Sequence, residues 1–134
     1  IPVYLQESIK KAVEDTKNNT SLILNIALNY GSRSEIVDAV RKITEESLKS
    51  NIKPEDINET SFKNFLYTKD LPDPDLLIRT SGEMRVSNFL LWQISYTELY
   101  FSKKFWPDFD KKEFIKAIKD YQKRERRYGL VDAN

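Results

Sequence analysis

Two short apolar runs limit what this chain can fold into. Leu22 to Leu28 is apolar except at Asn25, and Leu76-Leu77-Ile78 lies between Asp75 and Arg79. Both are too short for typical helices and lack the in-out alternation of a half-wet strand, so both read as strands buried on two faces, as in a parallel sheet. Parallel strands need long crossovers, which are usually helical. The rest of the chain supplies such patterns.

Val3, Leu5, Ile9, Ala12 and Val13 recur at helical spacing before the polar cluster Asn18-Asn19-Thr20. Ser32-Arg33-Ser34-Glu35 has capping-box spacing and opens a second helix through Ile36, Val40 and Ile43, fading near Ser50-Asn51. Pro54-Glu55-Asp56 restarts a shorter helical stretch carrying Ile57, Phe62, Phe65 and Leu66 on one side, and Leu71-Pro72-Asp73-Pro74 stops it. Phe89 to Phe101 is aromatic and apolar, and its periodicity does not divide helix from strand. Trp106-Pro107 closes it. Asp110-Lys111-Lys112-Glu113 resembles a second capping box, and Phe114, Ile118 and Tyr121 share a face of a last helix expected to run to Gly129. The alternation predicts an α/β fold in one domain, since 134 residues hardly allow two.

Composition narrows the chemistry. The chain has no Cys, hence no disulfide framework, thiolate nucleophile or Cys-based zinc site. It also has no His, so catalysis within these residues falls to carboxylates, arginines, hydroxyls or a hard cation such as Mg²⁺. With 22 basic and 21 acidic side chains, the net charge of +1 gives no global field for a polyanion, and any anion site must be local. No window has the roughly 18 apolar residues of a membrane-spanning helix. The sequence opens on Ile1-Pro2 without an initiator Met or a signal-peptide pattern, which reads as a cut into a longer protein.

The candidate anion site is Arg79-Thr80-Ser81-Gly82-Glu83-Met84-Arg85-Val86-Ser87-Asn88. Two guanidiniums, three hydroxyls and a Gly follow a buried strand, at the end where parallel sheets place their ligands. Guanidinium forks match phosphate oxygens, hydroxyls fill the remaining acceptor positions, and Gly allows close backbone approach. An ordinary polar turn, its arginines paired with Glu83 or Asp75, explains the same residues, and both readings stay open. The pattern is not a Walker loop. Glu98 lies among Tyr96, Leu99 and Tyr100 and needs a cation or an arginine partner. Asp73 and Asp75 flank Pro74 as turn residues and are left out of the site. Asp110 to Arg127 holds eight basic and four acidic residues, which reads as a solvated helix face or a second phosphate contact at Arg127 and Gly129. The aromatic cluster of residues 89–109 reads as core rather than as a base-stacking platform.

Several blocks together resemble the bacterial undecaprenyl diphosphate synthases, which are cis-prenyltransferases. They are Asp75 to Glu83, Arg85 to Gln93, Tyr96 to Phe101, Trp106 to Phe109, Asn29 to Glu35 and the terminal Arg126-Arg127-Tyr128-Gly129. The resemblance implies Mg²⁺-dependent condensation of isopentenyl diphosphate onto farnesyl diphosphate, ending at the C55 carrier lipid for cell-wall glycans. Carried over by position, Arg79, Arg85 and Ser87 would hold the isopentenyl diphosphate, and Glu98 would bind Mg²⁺. Arg127 and Gly129 match the family's Arg-x-Gly signature, which completes the diphosphate site across a homodimer in related proteins. The family's Asp-Gly-Asn-Gly-Arg block is missing, so no catalytic residue is assigned here. Residues 1–134 are expected to be the C-terminal portion of one parallel-sheet catalytic domain, inactive alone. The resemblance further implies a cytoplasmic homodimer without nucleic-acid partners, touching the inner membrane face through its lipid product. Tyr30, Gly31 and Arg33 are expected to shape the turn into the second helix. Two rival readings are a non-catalytic prenyltransferase-like subunit of a heteromeric complex and a nucleic-acid-binding domain using the last helix, which predicts steep salt dependence.

Overall fold

A computed structural model describes residues 1–126; Arg127 and Gly129 lie outside the described residues. Helices α1 (Val3–Thr16), α2 (Ser32–Leu48), α3 (Glu59–Lys63) and α4 (Lys111–Tyr121) accompany strands β1 (Leu76–Arg79) and β2 (Glu98–Phe101), with 3₁₀ turns at Pro54–Asp56 and Trp106–Asp108. The strands pair in parallel, Leu76 opposite Glu98 and Arg79 opposite Phe101. The α/β reading holds, and Arg79 stands at the C-terminal end of β1 as expected.

The crossover from β1 to β2 is not a helix: residues 91–96 fold as consecutive turns. Backbone bonds outside the ladder lengthen the pairing, from Glu98 N–H to Asp75 O at 3.1 Å and from Ser102 N–H to Arg79 O at 2.7 Å. Ala39 and Ile43 of α2, Leu66 and Ala117 of α4 form the buried apolar core, and α4 lies on β2. No helix among the described residues is long and apolar enough to cross a membrane.

Three expectations need correction. Residues 22–28 form no strand, and Ile23 and Leu24 are 72% and 78% exposed. A strand exists only where a neighbour completes its backbone hydrogen bonds, and none of the described residues pairs with this run. Helix α4 ends at Tyr121, well before Gly129, because Arg124 turns back to bond Glu98 Oε2 at 2.8 Å, Leu99 O at 2.9 Å and Asp120 Oδ2 at 2.6 Å. The aromatics of residues 89–109 are not uniformly core, since Trp106 is 76% exposed and stacks on Phe109 with ring centroids 6.4 Å apart.

The start of α4 follows its local signal. Asp110 Oδ1 accepts from the N–H groups of Lys112 at 2.9 Å and Glu113 at 3.0 Å. Asp110→Ala is expected to cost about 1 kcal/mol, the usual worth of such a cap, read as a lowered urea midpoint at unchanged slope.

Candidate diphosphate site

The last residue of β1 is the pivot of the site. Arg79 Nη1 donates to Ser87 Oγ at 2.9 Å and to the Arg85 carbonyl at 2.5 Å, bending the loop of residues 80–88 around its guanidinium. No carboxylate among the described residues pairs with Arg79. Arg85 is exposed, and its Nη1 forms an ion pair with Glu83 Oε2. Arg85 thus has the Glu83 partner of the ordinary-turn reading, whereas Arg79 pairs with neither Glu83 nor Asp75 among the described residues and bonds within the loop instead. Three of the predicted residues, Arg79, Arg85 and Ser87, come together at the C-terminal mouth of the strand pair.

The backbone of the preceding turn is occupied. Ser81 N–H donates to Lys104 O at 2.6 Å and Gly82 N–H to Ser102 O at 2.8 Å, so neither amide faces an anion. Gly82 is required for conformation, at φ 71°, rather than for backbone approach to a ligand. Ser87, Asn88 and Leu90 also lie in the left-handed region, at φ 47°, 62° and 48°. Non-glycine residues there cost on the order of 1 kcal/mol or more each and persist where the surroundings impose them.

The surroundings are the start of α2, and they replace the expected capping box. Helix α2 has no side-chain cap of its own. Its Ser32 N–H donates to Asn88 O and its Arg33 N–H to Asn88 Oδ1, both at 2.9 Å, while Ser32 Oγ accepts from Leu91 N–H at 2.9 Å. Glu35, instead of reaching back, is fully buried (0% exposed) and binds three other segments. It accepts from Tyr30 Oη at 2.5 Å, from Tyr67 N–H at 2.9 Å and from Gln93 Nε2 at 3.2 Å. Gln93 Nε2 also donates to Thr68 Oγ1 at 2.9 Å. Asn88 and Gln93 belong to recognised blocks, yet their roles depend on partners 55 and 58 residues away. The one local signal is the asparagine itself, which tolerates the left-handed region better than most residues.

Burial and, next, the hydrogen bond to Glu35 push the Tyr30 phenol up to about 12 from an ordinary 10.0. The folded state therefore favours the proton. This stabilisation is full below pH 10 and is lost as pH rises through about 12. Tyr30→Phe should show a shallower fall of unfolding free energy from pH 10 to pH 12 than the parent chain, measured by urea titrations at fixed pH.

Glu98 is not at the mouth. It starts β2, at the opposite end of the strand pair from Arg79, and its Oε2 accepts from Arg124. Among the described residues no group of three or more acids encloses a common point, and Glu98 offers one carboxylate, the kind of contact by which Mg²⁺ is held together with substrate phosphates and water. Asp73 and Asp75 are tied to Lys63 at 3.1 Å and Arg126 at 2.7 Å, in keeping with a structural role. A cavity of about 430 Å³ lined by Ile26, Leu28, Tyr30, Leu71, Phe89 and Leu90 begins two residues beyond Ser87.

A cationic loop at a parallel strand end is an arrangement that several families could use. Residues 1–129 match the family profile described as "Putative undecaprenyl diphosphate synthase". The chain belongs to this family. It is 59% identical to an isoprenyl transferase of Fusobacterium nucleatum over 98% of its own length and 54% of the relative's. It is 50% identical to a tritrans,polycis-undecaprenyl-diphosphate synthase (geranylgeranyl-diphosphate specific) of Thermoplasma volcanium, over 96% of this chain and 50% of that one. The chain thus spans about half the length of the curated relatives it matches. Among solved structures, lavandulyl diphosphate synthase from Lavandula x intermedia, in complex with dimethylallyl diphosphate, superposes with a TM-score of 0.93 at 39% identity, covering 97% of this chain and 56% of that one. A "probable undecaprenyl diphosphate synthase" from Campylobacter jejuni gives 0.81 at 35% identity, covering 97% and 58%. The parallel strand pair therefore belongs to the cis-prenyltransferase fold.

Proposed function

We propose that this chain carries the isopentenyl diphosphate half-site of a cis-prenyltransferase that lengthens farnesyl diphosphate to undecaprenyl diphosphate for the cell-wall lipid carrier. The observation that carries this reading is Arg79, free of any acid partner among the described residues and oriented by Ser87 at the mouth of the strand pair. In the reading, Arg79 and Ser87 hold the diphosphate, and Arg85 leaves Glu83 to join them. The cavity beginning at Phe89 takes the hydrocarbon end of the ligand. Charge-assisted hydrogen bonds fix the diphosphate while apolar walls orient the carbon skeleton, which positions the reacting double bond rather than activating it.

Arg127 and Gly129 complete the diphosphate site across a homodimer in this reading, and the protein works in the cytoplasm at the inner membrane face. The family resemblance implies Mg²⁺. Because Glu98 is bonded to Arg124, no step of the proposed binding is routed through a metal. The reading is tested by titrating isopentenyl diphosphate into the chain by calorimetry, with isopentenyl alcohol as the uncharged control. Saturable, salt-sensitive binding of the diphosphate alone is expected. Equal heats for both ligands, or none for either, would refute it.

A further inference from the structure

Resting on the diphosphate reading above, we propose that Gly31 and Asn88 are positioning residues, a clamp in which the start of α2 holds the left-handed loop that presents Ser87 to Arg79. Ser87, Asn88 and Leu90 hold three positive φ angles within four positions, a conformation that persists only where neighbours impose it. Asn88 is held twice by α2, through its backbone carbonyl on Ser32 N–H and its side-chain oxygen on Arg33 N–H, both at 2.9 Å. Ser32 Oγ takes the Leu91 N–H on the far side of the kink. These bonds use the first two amides of α2, so the helix start serves the loop and not an anion.

Gly31 is needed for space. Its φ of −152° is open to any residue, but a Cβ there would sit 2.8 Å from Asn88 Nδ2. A side chain at position 31 requires the Asn88 amide, whose other atom Oδ1 accepts from Arg33 N–H, to shift. Asn88 is bonded covalently to Ser87, whose Oγ is 2.9 Å from Arg79 Nη1, so the displacement passes to the anion site in one residue. Gly31 and Asn88 touch no diphosphate in this account. They act through Ser87.

The test is a double-mutant cycle on the full chain, read by isopentenyl diphosphate calorimetry, thermal unfolding and amide hydrogen exchange. Gly31→Ala is expected to weaken binding by about tenfold to a hundredfold, the scale of an ångström misplacement, while the unfolding midpoint falls by no more than the loss of one helix cap would lower it. Asn88→Gly keeps the positive φ and the carbonyl acceptor but removes the side-chain bond and the amide that a Cβ would strike. It should weaken binding by itself, and adding Gly31→Ala in that background should change binding by less than about twofold. Full-strength binding by either single variant, or a Gly31→Ala loss of the same size with glycine at position 88, would overturn the clamp. If Gly31→Ala does not fold, Asn88→Gly carries the binding arm alone. If the parent chain does not bind isopentenyl diphosphate at all, the functional reading fails, and hydrogen exchange judges the clamp separately. Faster exchange at residues 85–91 with α4 unchanged supports it, and unchanged exchange there refutes it.

Discussion

Arg79→Ala should weaken isopentenyl diphosphate binding by about 10- to 150-fold. Hydrogen bonds to charged groups contribute roughly 1.5–3 kcal/mol each, and the loss of one guanidinium removes at least one such bond to the ligand. It also releases Ser87 Oγ and the Arg85 carbonyl, so the loop no longer curls around a fixed cation. Folding should be little affected, because Ser87 and Arg85 are exposed and water replaces the lost donor. Calorimetry and a thermal scan on the same sample separate these effects. Arg79→Lys keeps the charge but not the fork, and should recover only part of the affinity. Parent-like affinity in Arg79→Ala would remove Arg79 from the site.

The second large effect is on stability. Glu35→Ala should destabilise the chain by about 2–5 kcal/mol, since it leaves neutral donors unsatisfied at roughly 1–3 kcal/mol each. The deletion leaves the Tyr67 N–H and the buried Gln93 Nε2 without their acceptor and frees the half-buried Tyr30 hydroxyl. Glu35→Gln keeps the shape but turns one acceptor into a donor that must face another donor, and should cost about 1–3 kcal/mol. Urea unfolding gives both values. A loss below about 1 kcal/mol for Glu35→Ala would mean that Glu35 is not the joint between α2 and the turns of residues 67–68 and 89–93.

These two residues differ in how far the sequence reveals them. Arg79 is legible because its signal is local: an acid, three apolar residues and a base describe a short interior strand with its cation at the exit. Glu35 misleads for the same reason. Three residues beyond a serine it reads as half of a capping box, yet neither it nor Ser32 caps α2. The acceptors that replace them come from Asn88, and only the fold brings Asn88 to the helix start. Asp110 shows the opposite outcome, capping α4 as its position indicates, because no distant acceptor competes there.

The sequence by itself determined where α1, α2 and α4 begin, though not α3, which starts at Glu59 rather than Pro54, where the strand carrying Arg79 lies, that no histidine or cysteine chemistry is available, and which family blocks are present. These depend on side-chain period, on composition and on interactions within a few residues. Tertiary structure alone decided that no described residue pairs with residues 22–28, that Glu98 is bonded to Arg124 at the far end from Arg79, and that Asn88 replaces the cap of α2. The physical reason is common to all three. A backbone amide or a buried carboxylate must find a partner, and which partner it finds depends on the segment that packs beside it, not on the residues next to it in the chain.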